Sequence, residues 1–269
     1  TGGKTDAAVA LDKAAAFDRY TQAFAIWIND SFPPEKAFEK AESRMLFTAI
    51  KNSMIRADKN ETDIDAIISG DLLDQIISST FSARNFDTGY LGVYNACATF
   101  TEALTLGATF IDGKYLNNVV CATSSHFSSA ERQYRFPLEL GCTRPPQSQW
   151  TVTGAGSCVL SLSGSGPSIT CATVGKIVDY GVKDSMNMGA CMAPAAGDVI
   201  IQNFIDNGRK PDWYDKIVTG DLGLVGKDIL LDITRSKGYD IADRYMDCGI
   251  EIYSRGQDIQ AGGSGCGCS

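Results

Sequence analysis

The chain has 269 residues, 44% hydrophobic and 21% charged, a length that suits one large domain or two average ones. Its formal net charge of −8 and its scattered Lys and Arg residues exclude nucleic acid as an expected partner, because no basic stripe could neutralise phosphates. The sequence has no apolar window of transmembrane length and no signal-peptide pattern at its start, so we expect a soluble chain of the cytoplasmic type.

The nine cysteines do not form a disulfide framework by their spacing. Their number is odd, and Cys121, Cys158 and Cys171 lie inside apolar runs, where cysteine packs as a small hydrophobic residue. We therefore expect reduced core thiols. The pair Cys266 and Cys268 has no partner pair, and the chain has a single histidine, so no protein metal site is predicted.

The first half of the chain alternates helical and strand patterns. Apolar residues at helical spacing and short apolar runs bounded by polar residues mark the elements. In chain order they are a helix over 34–51, a strand over 63–70, a helix over 74–84, a strand over 90–94, a helix over 99–110 and a strand over 119–123. The alternation predicts βαβ units around a parallel sheet buried on both faces.

The pattern changes at Trp150. Residues 150–163 read as a longer strand with a glycine kink, and residues 169–178 as a second strand. The intervening 164–167 (GSGP) has the composition of a tight turn, so the two runs predict an antiparallel hairpin. A helix is predicted to follow over 194–207, beginning at Pro194.

An internal repeat connects the two halves. The stretch 65–72 (DAIISGDL) recurs as 215–222 (DKIVTGDL), and each copy reads as a strand that ends in Gly-Asp-Leu before a helix. A weaker repeat pairs 95–98 (NACA) with 264–267 (SGCG), in the same order. Two copies at this long period indicate a duplicated α/β unit and not a solenoid.

A duplicated α/β unit with a strand–Cys–helix turn in its first copy resembles the thiolase and ketoacyl synthase superfamily. Within it, the sequence resembles the stage V sporulation protein AD family of spore-forming bacteria. The stretches that carry the resemblance are GDLLDQIIS (70–78), NACATFTEAL (95–104), ATSSHFSSAERQYRFP (122–137), WTVTGAG (150–156), MAPAA (192–196), TGDLGLVG (219–226) and AGGSGCGCS (261–269).

The resemblance implies a thiolase-like α/β fold, with duplicated βαβαβ units around mixed, mostly parallel sheets. We expect a variable N-terminal segment over 1–35, a first thiolase-like half over 36–166 and a second half over 167–269. The second copy stops shortly after Cys266 whereas the first continues well past Cys97, so we expect the second half to be incomplete at its C-terminus.

The resemblance also implies a function. Members of this family are expected to bind dipicolinic acid (pyridine-2,6-dicarboxylate), free or with calcium, for its uptake into the developing spore, without catalysis. The implied partners are the sporulation membrane proteins encoded with it, and the implied location is peripheral, at the inner membrane of the forespore. A homodimer through the first-copy sheet edge is expected, and no cofactor.

The residues themselves favour binding over catalysis. A condensing enzyme needs a thiolate, histidines that activate it and an oxyanion hole. Cys97 lies where a helix N-terminus lowers a thiol pKa. However, the second-copy strand ends in Thr219-Gly-Asp-Leu and the glycine turn reads 263–267 (GSGCG), where catalytic histidines of the superfamily would stand. The alternative is an acyltransferase or condensing enzyme that uses Cys97, with His126 as its one imidazole.

A dicarboxylate needs hydrogen-bond donors and cations around it. Polar residues at the carboxyl ends of the predicted strands, with arginines just downstream, are the candidates because ligands bind at that edge of α/β sheets. The candidate ligand-binding residues are Cys97, Thr99, Ser124, Ser125, His126, Arg132, Arg135, Arg144, Asp71 and Asp221. Cys97 and His126 are predicted to line the pocket. Helix N-capping is the competing interpretation of the two aspartates, which could otherwise meet a calcium that arrives with the ligand.

Overall fold

The structure, a computed structural model, describes residues 7–11, 37–134, 144–164, 166–254, 257 and 259–266, with 7–11 described by their backbone only. Ten strands and seven α-helices lie in this part of the chain. The strands are β1 (Ala7–Leu11), β2 (Ala66–Gly70), β3 (Gly89–Gly92), β4 (Asn118–Ser125), β5 (Trp150–Thr151), β6 (Gly154–Ser161), β7 (Ile169–Val174), β8 (Ile217–Thr219), β9 (Tyr245–Asp247) and β10 (Gly263–Ser264). The helices are α1 (Phe38–Arg56), α2 (Ile77–Ala83), α3 (Thr99–Asp112), α4 (Phe127–Tyr134), α5 (Met188–Asn207), α6 (Gly223–Ser236) and α7 (Cys248–Glu251).

The largest sheet among the described strands has the order β3-β2-β4-β6. Strands β3, β2 and β4 are parallel, and β6 pairs antiparallel with β4 over its full length. Parallel pairing also joins β8 to β9 and β5 to β10. The mixed, mostly parallel sheets confirm the predicted α/β class, and they bring the carboxyl ends of β2, β3 and β4 to one edge.

Helices cover both faces of this sheet. Residues of α1 such as Leu46 and Ile50 pack with Ile67 and Val120 on one face. On the other face, α3 packs on the intervening strand residues, which include Ile68. Because both faces are covered, the central strands β2 and β4 are buried at nearly every position, as the sequence predicted. No helix in the described part of the chain combines the length and the apolarity that crossing a membrane requires.

The second half has its own core between α5, α6 and the end of β8. Buried side chains of α5, among them Met192 and Ala196, meet Leu222 and Leu230 there. The helices approach closely where Gly189 faces Gly226, since a Cβ built at either glycine would lie within 3 Å of the other's backbone. Side chains at these two positions would force the helices apart.

The predicted hairpin between 150–163 and 169–178 is wrong. The first run is two strands, β5 and β6, which are interrupted at 152–153 and belong to different sheets. Strand β6 pairs with β4, and β7 pairs antiparallel with β1. Both partners are distant in sequence, so neither pairing is visible in the local alternation and turn composition that suggested the hairpin.

Helix α5 begins six residues earlier than predicted, at Met188 and not at Pro194. Asn187 caps it, because its side-chain oxygen accepts a hydrogen bond from Ala190 N at 3.1 Å. Pro194 then lies inside the helix, where it lacks the N–H for one intrahelical bond.

Glu42 of α1 is fully buried against the sheet. Ser124 Oγ donates to Oε1 at 3.1 Å, and Ser129 Oγ lies 2.9 Å from Oε2 and 3.1 Å from the His126 carbonyl. The one hydroxyl proton of Ser129 cannot serve both acceptors, whereas a protonated Glu42 satisfies every group by donating to Ser129. Burial, with repulsion from Asp71, raises the pKa of Glu42 to about 8, so the neutral carboxyl predominates at pH 7.

We expect Glu42→Gln to flatten the pH dependence of stability. The folded-state pKa of about 8 lies above the ordinary value of 4.5, so the folded chain binds this proton more tightly. The free energy of unfolding of the wild type should therefore fall as pH rises from about 4.5 to about 8, by up to about 1.4 kcal/mol per pH unit. Glutamine keeps the donor and acceptor of the neutral carboxyl and removes this slope.

Urea unfolding across that pH window measures the effect. The control is Glu251→Gln, at an exposed glutamate, which should keep the wild-type slope. An unchanged slope in Glu42→Gln would contradict a proton on this carboxyl.

Arg144 and Glu131 form a buried ion pair with an N–O distance of 2.7 Å and side chains that are 15% and 2% exposed. Arg144 Nη1 donates to the Gln149 carbonyl at 3.0 Å, and the guanidinium lies over the Trp150 ring at 4.4 Å. The other carboxylate oxygen of Glu131 accepts from Thr151 Oγ1 at 2.9 Å. These contacts fix the position of β5 against α4.

Arg144→Met should lower the free energy of unfolding by about 3 kcal/mol, because it leaves the Glu131 carboxylate buried without its cation. The matched control is Arg132→Met, which removes the more exposed ion pair between Arg132 and Glu39 and should cost less than about 1 kcal/mol. Urea unfolding of the two variants at neutral pH gives both values. Equal costs would show that burial does not distinguish the two pairs.

Candidate functional site

The predicted strand–Cys–helix turn is present between β3 and α3. A short 3-10 helix, Ala96–Ala98, contains Cys97, and Ala96 has a left-handed backbone with φ of +46°. Thr99 braces this turn, because its hydroxyl accepts from Asn95 N at 3.1 Å and donates to the Ala96 carbonyl at 2.8 Å. Strain of this kind persists only where the surroundings impose it. The turn holds Cys97 half-buried at the start of α3.

The repeated Gly-Asp-Leu stretch forms the equivalent turn between β8 and α6. Asp247 braces it, with Oδ2 accepting from Leu222 N at 2.9 Å and Oδ1 accepting from Gly223 N at 3.0 Å. Thr219 Oγ1 donates to the same carboxylate at 2.6 Å. Asp221 is almost fully buried, and its Oδ1 accepts from Gly265 N at 3.0 Å.

A cavity of about 550 Å³, its open mouth included, lies between these two turns and α5. The residues that line it are Cys97, Ala98, Thr101, Met192, Ala196, Val199, Ile200, Val218, Thr219, Gly220, Asp221 and Leu222. The cavity is therefore built from both copies of the repeat.

The cavity has an apolar wall and a polar wall. Helix α5 supplies the apolar one through four residues, including Met192 and Ile200, while Cys97, Thr219 and Asp221 contribute polar groups. Among the described lining residues, Asp221 alone carries a formal charge, and none is histidine. Helices α3 and α6 both begin at the cavity, and their N-termini bring partial positive charge to it.

The two cysteine turns of the repeat meet behind the cavity. The Cys266 carbonyl accepts from Phe100 N at 3.2 Å and from Thr123 Oγ1 at 3.1 Å. Buried Gln149 adds a second connection, since its Nε2 donates to the carbonyls of Asp221 and Gly263 at 2.7 and 2.8 Å. The turns of the two halves are thus held to each other by direct hydrogen bonds.

Two of the predicted site residues, Cys97 and Asp221, share the cavity wall. Three others make internal hydrogen bonds: Thr99 braces the Cys97 turn, Ser124 donates to Glu42, and Ser125 donates to the Val152 carbonyl at 2.7 Å. Their hydroxyl protons are therefore committed within the fold.

Asp71 is also buried at the same sheet edge. Its carboxylate accepts from Leu73 N at 2.8 Å and Ser79 N at 2.6 Å, which ties the loop after β2 to α2. Asp71 therefore caps backbone N–H groups, which is the competing interpretation that the sequence left open. Burial raises the pKa of Asp71.

His126 follows β4, at the same edge of the sheet as the Cys97 turn, but it is not among the residues that line the cavity. Its Nδ1 accepts from Ser128 N at 3.1 Å and its ring stacks on Phe38 with centroids 5.5 Å apart. Burial lowers the pKa of His126, against a smaller opposite effect of Glu39. Arg132 pairs with Glu39 nearby, while Arg135 lies outside the described residues.

Sequence reasoning missed the α5 wall of the cavity and the buried Gln149. The stretch 192–196 (MAPAA) belongs to the family resemblance, and its small residues are the local signal for a close contact. Gln149 carries no local signal, because both of its acceptors come from the second half. No group of three or more His, Cys, Asp or Glu side chains suited to a metal ion is found among the described residues.

Comparison with known proteins identifies the chain's relatives. The family model described as stage V sporulation protein AD (SpoVAD) matches residues 6–269. Stage V sporulation protein AD of Bacillus subtilis (strain 168) is 40% identical over 235 residues, which cover 87% of this chain and 70% of the relative.

Solved structures show the fold. The chain is similar to AbyA1, a tetronic acid condensing enzyme, with a TM-score of 0.60 and 13% identity over 99% of this chain and 87% of that one. It is also similar to 3-oxoacyl-[acyl-carrier-protein] synthase III from Aquifex aeolicus VF5, with a TM-score of 0.52 and 13% identity over 97% and 88% of the two chains. The chain therefore has a thiolase-like α/β fold and belongs to the stage V sporulation protein AD family.

Proposed function

We propose that the chain binds dipicolinic acid in the cavity beside Cys97, for uptake of this compound into the developing spore, and that it does so without catalysis. The observation that carries the proposal is a thiolase-like cavity with its cysteine in place and no histidine among its described lining residues. Family membership supports the sporulation role. It also supports action beside the membrane proteins encoded with it, at the inner membrane of the forespore.

The residues that line the cavity argue against catalysis at Cys97. Condensation or acyl transfer at Cys97 requires a nearby base to take the thiol proton and donors that stabilise the oxyanion. The chain's single histidine, His126, accepts a backbone hydrogen bond and stacks on Phe38, away from the wall. Thr219 and Asp221 stand on the second-copy turn where a second imidazole would be needed.

The cavity suits a small planar dicarboxylate. The apolar side chains of α5 can cover the face of a pyridine ring, and the N-termini of α3 and α6 favour carboxylate groups. The Asp221 carboxylate would repel a free dianion. Calcium chelated by the ligand would offset this repulsion, since calcium prefers carboxylate oxygens.

Substitutions in the wall should weaken binding of dipicolinate. Val218 lines the cavity yet is 49% exposed, so Val218→Trp can fill the cavity without disturbing a core and should raise the Kd at least ~10-fold. Cys97→Ala should raise it several-fold by removing the thiol contact. Isothermal titration of dipicolinate, with and without calcium, measures both. Leu224→Trp, exposed on α6 and outside the wall, is the matched control.

The second candidate function is a Cys97-dependent acyltransferase or condensing enzyme. It is favoured by the position of Cys97 in a cavity of the same fold as the condensing enzymes above. Intact-mass analysis after incubation with acyl-coenzyme A distinguishes the two: an acyl adduct that forms on the wild type and is absent from Cys97→Ala would overturn the binding-only proposal. Unchanged dipicolinate affinity in both Val218→Trp and Cys97→Ala would overturn it as well.

We further propose a homodimer formed through the β3 edge. Strand β3 is an edge strand of the described sheet, and Leu91 and Tyr94 beside that edge are 42% and 50% exposed. Exposed apolar edge strands commonly pair with another chain. Light scattering should give twice the 28.8 kDa chain mass for the wild type and for the control Ile177→Lys, at an exposed position elsewhere. Leu91→Lys should give the monomer mass; a monomeric wild type would contradict the proposal.

A further inference from the structure

Two cysteines oppose each other across the β4–β6 pair. Cys121 on β4 is the register partner of Cys158 on β6, near the middle of eight paired positions. Both side chains belong to the apolar cluster on the α3 face of the sheet. Because they are register partners on the same face of the sheet, the two thiols lie close to each other.

This placement is compatible with a covalent bond. Directly opposed residues of an antiparallel pair have Cβ atoms about 4.5–5.5 Å apart, and a disulfide needs Cβ atoms about 3.5–4.5 Å apart. The remaining difference is small enough to be met by a local adjustment of two neighbouring strands. Side chains one position away on either strand point to the opposite face, so the register selects this pair.

The packing of α3 on the sheet encloses Cys121 and leaves Cys158 accessible. Cys121 is fully buried, and its thiol donates to the Ala103 carbonyl of α3 at 3.2 Å. A Cβ at Gly107 of the same helix would lie 2.9 Å from Cys121 Sγ, so the sulfur occupies the space that this glycine leaves. Cys158 is partly exposed, which gives a small molecule a path to one sulfur of the pair.

We propose that Cys121 and Cys158 are a modification site, a dithiol that a small-molecule disulfide converts reversibly into a cross-strand disulfide. The Cys158 thiolate attacks one sulfur of the small disulfide, forms a mixed disulfide and releases one small thiol. Cys121 then gives up its proton and attacks Cys158 Sγ, so that the protein S–S bond forms and the second small thiol leaves. The protein loses two hydrogens, and the small disulfide is reduced to two thiols.

Burial controls the order of these steps. Burial, with a smaller effect of the neighbouring Cys158 thiol, raises the pKa of Cys121 well above the ordinary thiol value, so few Cys121 side chains are thiolates at neutral pH. The partly exposed Cys158 therefore reacts first, and closure by Cys121 follows slowly, helped by the proximity of the two sulfurs. Once formed, the bond is shielded on the Cys121 side and accessible from the Cys158 side.

The test is oxidation of the folded full chain by glutathione disulfide. Unreacted thiols are then alkylated in denaturant, and the protein is digested without reduction and examined by mass spectrometry. We expect a cross-linked pair of peptides containing Cys121 and Cys158, lighter by two hydrogens than the two thiol peptides, which dithiothreitol separates. In Cys158→Ala the cross-link should be absent and Cys121 should be recovered alkylated.

Cys171→Ala is the matched control, since Cys171 is a half-exposed strand cysteine outside this pair and its loss should leave the cross-link unchanged. Circular dichroism of each variant before oxidation verifies that it is folded. The proposal fails if wild-type Cys121 and Cys158 are both recovered alkylated. It also fails if Cys158 carries only glutathione, or if Cys121 is linked to another cysteine.

Discussion

The hydrogen bonds that join the two strand-to-helix turns are the constraint on which the site depends. Cys97 and the Gly-Asp-Leu stretch after β8 come from different copies of the repeat, and only their mutual attachment creates a cavity between them. The Cys266 carbonyl receives two donors from the first half, and Gln149 spans two carbonyls of the second. Cys266, Thr123 and Gln149 are fully buried, so an unmade bond at any of these residues would cost the full desolvation of a polar group.

Much of the fold could be predicted from the sequence because its information is local. Helix α1 and strands β2 and β4 carry apolar patterns long enough to identify, and they lie within a few residues of the expected bounds. The pairing of β6 with β4 and of β7 with β1 depends on partners far away in the chain, so turn composition at 164–167 was misleading. Proline is common in the first turn of a helix, so Pro194 suggested a start there. The helix instead begins at Met188, after the N-cap residue Asn187.

The site was predictable in part, for the same physical reason. Cys97 and Asp221 stand on turns that the repeat identified, and both reach the cavity wall. Ser124, Ser125 and Asp71 reach the predicted sheet edge as well, but burial there requires each to have a partner, and nearby backbone and Glu42 supply it. The sequence predicts which polar residues lie at this edge of the sheet. It does not show which of them make hydrogen bonds within the fold and which remain available to a ligand. The shape of the apolar wall depends on α5 packing, which no local pattern encodes.

The composite origin of the cavity has a mechanical consequence. One wall belongs to the start of α3, and the others belong to β8, the turn that follows it and α5, so a molecule bound between them would touch both copies of the repeat at once. The two copies could separate only after such a molecule had dissociated, so its binding would oppose that motion. Binding in the cavity would therefore stabilise the folded arrangement of the two copies relative to each other.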